Sequence, residues 1–566
     1  MNRPFDRLLK PAWYTATMAV VVLSATLVRL FWITEQPLWF DEVNTLYRAA
    51  GGSFATVLSL IAGDVQAPLY DFGMALVVWL FGDGLLVARL PPLLAGVMLI
   101  PVVAALVRFL GGGHRAALLA AGWAAFDPYL VRYGVEARPY TWLALFSGLT
   151  LLSTLRLVDR RGEGAWRLAV TGSGLVLCHY YGVVAYAAVL LYLAANLGAV
   201  APRLQRALGA ALAPLALLAL WSPVALHQLS QRSMSSIYHS LDMSMALQIL
   251  DAQGLTAPLA ISGDQPGLVM AGRLVLACLL LAGTAVLWRG SARAPAAPGP
   301  AATNGRLSAM AWVGGLVLVG VGLWLPGGQL AGVASTLIKG GRPLDAQNLA
   351  FLEQMMGLVQ LAGWGLCAAG LLWPAVVRHA SSCTRRTGPV FLLWALLVIP
   401  LGLAVLLDGL GKPTLSVRNT IFMAPAVIAL AALGLDRLPR LARVLTLSLL
   451  VVICSFSTAH LDGFLRRLPW DEASTIVEAS GAEPLAHPPW MARCIEYHGE
   501  RPWASVYGSY RPGEVERWAA AHPAVALVAG FEQLADSSSV RAALQRSHGD
   551  PQTTHLRGLK VVIYRR

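Results

Sequence analysis

The sequence predicts a polytopic α-helical membrane protein of about thirteen spans, ending in a small α/β domain. Three observations predict it. Hydrophobic residues make up 57% of the 566-residue chain and charged residues only 13%. Apolar runs of about twenty residues, enough to cross a ~30 Å hydrocarbon core as helices, recur through most of its length. From residue 461 onward the composition turns to that of a soluble domain.

The apolar runs give expected spans at 13–33, 85–108, 116–131, 139–155, 167–180, 181–198 and 208–226. The series continues with 268–288, 308–325, 354–377, 389–407, 419–434 and 444–460. The first run follows Arg3, Arg7 and Lys10 and so has the flanks of a signal peptide. Its length, Arg29 near its end and the many later spans favour an uncleaved helix. With the N-terminus inside, every even-to-odd connection is basic: Arg108 to Arg115, Arg156 to Arg167, Arg203 and Arg206, Arg289 to Arg306, Arg378 to Arg386, and Arg437 to Arg443. The positive-inside rule therefore puts the N-terminus in the cytoplasm and segments 34–84, 227–267, 326–353 and the tail on the outer face.

Segment 34–84 holds "DEVNTLYRAA" and "SFATVLSLIAG", which have helical amphipathic spacing, and "PLYDFGMALVVWLFG", apolar but short for a full crossing. These read as helices at the membrane interface. "SARAPAAPGPAATNG" (291–305) reads as an inside linker. In the tail, "WDEASTIVEASG" and "EVERWAAAH" read as helices and "WASVYG", "AVALVAG" and "LKVVIYRR" as strands. The domains are thus 1–460 in the membrane and 461–566 on the outer face.

The net charge of +13 does not point to nucleic acid, because the basic residues lie in short connections rather than in a patch with interleaved aromatics. The six cysteines have no CxxC spacing that would hold zinc or run redox chemistry.

Functional residues stand out against this apolar background. In "QPLWFDEVNTL" (36–46), Asp41 and Glu42 are adjacent carboxylates at a membrane boundary, where an ionised acid needs a cation, water or chemical work. Asp41 alone also reads as the cap of a helix starting at Glu42. On the same face the topology puts Arg132, Glu136 and Arg138 of "VRYGVEARPYTW", with Pro139 opening the next helix. His179, Tyr180 and Tyr181 of "LCHYYG" read either as an aromatic belt or as ligands. Asp64, Gln66 and Asp71 are candidates to face the same chamber, or to be solvated turn residues. Lys412 and Arg418 of "GKPTLSVRNT", with Lys339 and Arg342, are cations on a face that should lack them; an arginine fork suits a phosphate, and lipid headgroups are the competing partner. Together these groups suit chemistry on an anionic, lipid-linked substrate, with a carboxylate activating a hydroxyl and cations holding a phosphate leaving group.

The motifs "WFDEVNTLYRA", "APLYDFGMALVVWLFGDGLLVARLPPLLAGV", "YGVEARPYTWLALF", "LCHYYG" and "KPTLSVRNTIFMAPAVIALAALGL" resemble bacterial GT-C glycosyltransferases of the protein O-mannosyltransferase and lipid A aminoarabinose transferase type. The resemblance implies an inner-membrane enzyme that moves a sugar from a polyprenyl-phosphate donor to a lipid, glycan or protein acceptor on the outer face, with inversion. It implies Asp41 as general base, Glu42 as a residue that shapes the site or binds a divalent metal ion, Glu136 and Arg138 as a second site segment, and Arg418 as the donor-phosphate ligand. Two departures stand out. Gln66-Ala67-Pro68 replaces the His-Pro-Pro of relatives, and "EARP" has Glu where aminoarabinose transferases have Asp. A flippase for a lipid-linked saccharide, using the same charges to bind without reacting, is the competing class. A non-catalytic relative whose tail mediates assembly is a third.

Overall fold

The computed structural model describes residues 11–230, 242–291, 388–409, 415–465, 468–503, 505–509, 511–530 and 537–566. The expected spans 308–325 and 354–377, with Lys339, Arg342 and Lys412, lie outside these residues.

Along the chain the first helices are α1 (Ala12–Trp32), α2 (Phe40–Ala49), α3 (Phe54–Ala62), α4 (Pro68–Phe81) and α5 (Leu85–Phe109). Then come α6 (His114–Phe126), α7 (Pro128–Gly134), α8 (Tyr140–Asp159), α9 (Ala165–Cys178) and α10 (Tyr180–Ala195). Among the described residues, eight helices are long and apolar enough to cross a membrane: α1, α5, α8, Leu197–Gln228, Pro266–Arg289, Pro389–Asp408, Val417–Arg437 and Arg440–Ala459. The three helices expected at the interface in 34–84 are α2, α3 and α4.

Two expected spans are broken, each at a proline. Span 116–131 divides into α6 and α7 because Pro128 has no N–H to continue the ladder. Asp127 caps the new helix, accepting from the N–H of Tyr129 at 2.8 Å. Buried Arg29 reaches across from α1 and donates to the freed carbonyls of Ala125 (2.8 Å) and Ala124 (3.3 Å). Span 419–434 opens as a 3₁₀ segment, Val417–Met423, before the α-helix Ala424–Arg437 with Pro425 in its first turn. Side chains take that segment's carbonyls: Tyr129 donates to Val417, Ser147 to Phe422 and Gln253 to Thr420.

In lipid, helices gain from close approach rather than from the hydrophobic effect, and small residues permit it. Helix Pro266–Ser291 meets Ala424–Arg437 in this way: a Cβ on Gly283 would stand 2.0 Å from the carbonyl oxygen of Leu430, and one on Gly434 would stand 2.3 Å from that of Leu279. The bundle has two chemically distinct ends. At one end Tyr14 of α1 packs on His114, and Arg115 pairs with Asp436 at 2.6 Å. At the other end of α1, Arg89 donates to the carbonyls of Ile33 and Gln36 and leads into α2.

The C-terminal part is a five-stranded mixed sheet of β1 (Glu483–His487), β2 (Tyr507–Gly508), β3 (Ala524–Gly530), β4 (Gln552–Leu556) and β5 (Leu559–Arg565). The order is β2-β1-β3-β5-β4, with β1 parallel to β2 and β3, and β5 antiparallel to β3 and β4. β3 is apolar throughout because helices cover both faces. Val525 and Leu527 pack with Val515 and Leu544 on one side, while Ala526 and Val528 pack with Trp470 and Ile495 on the other. That second core runs on into Leu38, Val43 and Leu46 around α2, so the domain is seated on the first loop. Of the expected strands, "WASVYG" contracts to the two residues of β2, while β1 and β4 form where no strand was expected.

Gly283→Ala is expected to destabilise the detergent-solubilised protein by about 1–3 kcal/mol through overpacking. Gly209→Ala, inside a helix where a Cβ meets nothing within 4 Å, should leave the thermal melt unlowered or raise it slightly.

Candidate active site

The site is built on α2. Its N-cap is Trp39, in extended conformation, and the Glu42 carboxylate reaches back to the Trp39 N–H at 3.2 Å. This corrects the reading of Asp41 as the cap: Asp41 lies one residue inside the helix, and its side chain is turned to Arg418, with Nη1 to Oδ2 at 2.9 Å. Burial opposes the charge on Asp41, but the guanidinium groups of Arg138 and Arg418 outweigh it and hold the carboxyl below its ordinary range.

Glu42 points the other way, into the protein, and is fully buried. Arg89 grips it with Nε to Oε1 and Nη2 to Oε2, both at 2.8 Å, and the Ala137 N–H donates to Oε1 at 2.8 Å. The remaining Arg89 donors go to the carbonyls of Ile33, Gln36 and Pro37. Glu42 therefore positions α2 against α5 and the 136–138 turn, and is not part of the cavity wall. Glu136 is likewise buried away from that wall. Its carbonyl accepts from the Arg138 N–H at 2.6 Å in a tight turn, which leaves Arg138 as the member of this segment that lines the cavity.

The cavity has a volume of about 1250 Å³. Its polar end carries Asp41, Arg48, Asp64, Arg138, His179 and Arg418. Its other wall is apolar, with Val183 and Val184 from α10, Leu218 and Leu226 from helix Leu204–Ser230, and Leu403 and Leu407 from helix Pro389–Gly409. Arg138 is buried, donates to Thr45 Oγ1 at 3.4 Å and lies over the Tyr140 ring, on whose face Arg418 also rests. No carboxylate lies within 4.0 Å of its guanidinium among the described residues. Burial disfavours its charge, yet Asp41 holds the proton on more firmly than usual.

Asp64 faces the cavity but is tied to Arg48 at 2.6 Å, and the same Arg48 takes Asp71 at 2.9 Å. His179 separates α9 from α10, and its Nδ1 accepts from the Tyr181 N–H at 3.2 Å. In the neutral ring the proton thus sits on Nε2. Tyr180 bonds Gln228 and the Gln66 carbonyl, and Trp221 donates to its hydroxyl. Gln66, expected near the site, lines the cavity; Asp71 is buried behind it.

Several residues at the site escaped sequence reasoning. Arg48 is seven positions after Asp41 and shares its helix face, a periodicity that could have flagged it. Arg89 is a lone cation in an apolar run, which is itself a functional signal. Trp490, Arg493 and Glu496 of the C-terminal domain also line the cavity, and nothing in their local sequence announces it.

With this geometry in view, comparison with known families gives a match over part of the chain. Residues 65–227 match the model of the dolichyl-phosphate-mannose-protein mannosyltransferase family. The transferase resemblance carried by the motifs is borne out over that segment, which includes Arg89, Arg138, His179 and Tyr180. Particular structures are similar to the whole. ArnT from Cupriavidus metallidurans in the apo state aligns at 15% identity and a TM-score of 0.46, covering 97% of this chain and 98% of that one. The same enzyme bound to undecaprenyl phosphate aligns at 15% identity with a TM-score of 0.44, with coverage of 97% and 98%. The Archaeoglobus fulgidus oligosaccharyltransferase tethered with an acceptor peptide aligns at 12% identity with a TM-score of 0.43, covering 97% of this chain and 74% of that chain. Among curated proteins, no sequence matches.

Glu42→Gln, which leaves the Arg89 charge buried without its carboxylate, is expected to cost about 3–5 kcal/mol and lower the melting temperature sharply. Asp41→Asn, at a partly open position where water screens the arginines it leaves, should lower the melting temperature much less than Glu42→Gln.

Proposed function

We propose that this protein is a membrane glycosyltransferase that moves a sugar from a polyprenyl-phosphate donor to an envelope acceptor on the outer face, with inversion at the anomeric carbon. One observation carries the reading: a carboxylate flanked by two arginines stands at the polar end of a cavity whose other wall is apolar and made of membrane helices. A polyprenyl phosphate has the same division, one anionic head on a long hydrocarbon chain.

In the proposed step Asp41 accepts the proton of the acceptor nucleophile as it attacks the sugar C1. The C1–O bond to phosphate breaks, and its electron pair leaves with the phosphate. Arg138 and Arg418, already ordered on Tyr140, bind that developing charge. When Arg418 engages the phosphate it releases Asp41, which then becomes the stronger base. His179, with its proton on Nε2, is a hydrogen-bond donor to substrate oxygens. Asp64 serves by holding Arg48 at the cavity wall, and Tyr180 by tying α10 to helix Leu204–Ser230.

The residues present do not fit a divalent metal ion. Asp41 is paired with Arg418, Glu42 is enclosed by Arg89, and Asp64 and Asp71 share Arg48. Among the described residues, no three His, Cys, Asp or Glu side chains gather as a ligand set. The proposed step uses none. The basic connections support a cytoplasmic N-terminus and a C-terminal domain outside a bacterial inner membrane.

The test compares lipid extracts, by mass spectrometry, from cells lacking the protein and complemented with wild type or Asp41→Asn. A polyprenyl-phosphate sugar should build up, and a glycosylated envelope product should fall by about 10²–10⁴ in rate, with the substituted protein present at normal level. Full restoration by Asp41→Asn would sink the general-base role and favour transport. The pH profile gives a second check. Asp41 must be ionised, and its carboxyl is held low, so the acid limb should lie below the ordinary carboxylate value of about 4. Arg138→Gln removes a charge that favours the ionised form, so the limb should move upward in pH.

A further inference from the structure

The C-terminal domain closes the cavity with a cation that the proposed step does not use. Arg493, in helix Ala492–His498, lies over the Tyr47 ring, its guanidinium carbon 3.8 Å from the ring centroid. It also donates to the Asn44 side-chain oxygen. Both partners belong to α2: Asn44 is one turn beyond Asp41, and Tyr47 one turn further. No carboxylate pairs with Arg493 among the described residues, and it lines the same cavity as Asp41. The nearby acid Glu496 accepts from the Val506 N–H at 2.9 Å.

A guanidinium stacked on an aromatic face keeps its plane fixed while its edge stays open to a planar or tetrahedral oxyanion. One of the five donors is spent on Asn44, so a fork remains for a ligand. The position decides which ligand. In an inverting displacement the nucleophile and the leaving phosphate stand on opposite sides of C1. Arg418 belongs to the membrane bundle, on the same side as the apolar wall that suits the donor chain. Arg493 is brought by the C-terminal α/β part onto Asn44 and Tyr47, one and two turns along α2 from Asp41, and so stands apart from the bundle residues that suit the donor.

We infer that Arg493 binds an anionic group, a phosphate or carboxylate, on the acceptor, so that the C-terminal domain forms a second anion subsite beside Asp41. This rests on the transferase reading. Arg493 orients the acceptor nucleophile for Asp41, while the donor phosphate is held by Arg138 and Arg418.

The experiment uses the full chain. Cells lacking the protein are complemented with wild type, Arg493→Gln, Arg493→Lys or His498→Gln, and envelope product is measured by mass spectrometry. His498 provides the docking control, since it anchors the domain through the Leu38 carbonyl at 2.8 Å without lining the cavity. In parallel, undecaprenyl phosphate is titrated onto each purified protein in a thermal-shift assay, as a probe of the donor site. Arg493→Gln should lower product formation by about ten- to hundredfold, the loss expected for a charged hydrogen bond. Its melting temperature and response to undecaprenyl phosphate should stay those of the wild type. Arg493→Lys should restore part of the product, and His498→Gln should behave as wild type. The product itself then tells whether the acceptor anion is a phosphate or a carboxylate. Full product with Arg493→Gln would overturn the inference. Loss of the undecaprenyl phosphate response would reassign Arg493 to the donor, and a lowered melt that Lys does not rescue would make it a docking residue. If wild type makes no product over the deletion, the transferase reading fails and the subsite falls with it, whereas failure of Arg493 alone leaves the transferase standing.

Discussion

The ion pair between Arg89 and Glu42 is the contact on which the rest of the site depends. A charge near hydrocarbon is tolerated only when its partner and its hydrogen bonds are complete. Here every Arg89 donor is matched, two by Glu42 and the others by the carbonyls of residues 33, 36 and 37. Glu42 in turn holds the N-terminus of α2 and the Ala137 N–H. One buried pair thus fixes the end of α1, the start of α2, the second turn of α5 and the 136–138 turn. With α2 fixed, the next residue back, Asp41, has a defined direction into the cavity.

A division of labour among adjacent charges follows. The two acids at 41 and 42 look equivalent in the sequence, yet one faces protein and the other faces the cavity. The arginines are divided in the same way. Arg89 and Arg48 are enclosed by carboxylates, whereas Arg418 gives only its Nη1 to Asp41 and Arg138 has no carboxylate within 4.0 Å among the described residues; the two share the face of Tyr140. Arg418 is held by backbone geometry. The 3₁₀ entry to helix Ala424–Arg437 is pinned by Tyr129, Ser147 and Gln253, each from a different part of the chain.

The cavity wall is completed by the C-terminal α/β part, whose core is continuous with that of α2 to α4. Trp490 packs on Phe40 and Tyr497 donates to the Asp83 carbonyl, so the domain touches the first loop at both its acidic and its apolar ends. A substrate that reaches Asp41 therefore meets membrane helices on one side and the domain on the other.

By itself the sequence determined the membrane class, most helices and the polar segments that meet at the site, because hydropathy and charge are local properties summed over about twenty residues. It located Asp41, Arg138, His179 and Arg418. What it left open were matters of one-residue register and of distant partners. Asp41 reads as a cap if α2 starts at Glu42 and as a cavity residue if it starts at Phe40, and only the packing of Trp39 and Arg89 separates the two. β4, "QTTHL", is polar because it is an edge strand, and β1 contains Pro484, so neither carries a strand pattern. The pairing of Asp41 with Arg418 spans 377 positions, and the approach of Arg493 to Asn44 spans 449. No local rule reaches that far. Those contacts exist because buried charges must find partners wherever the chain folds back, and the tertiary structure alone decided which.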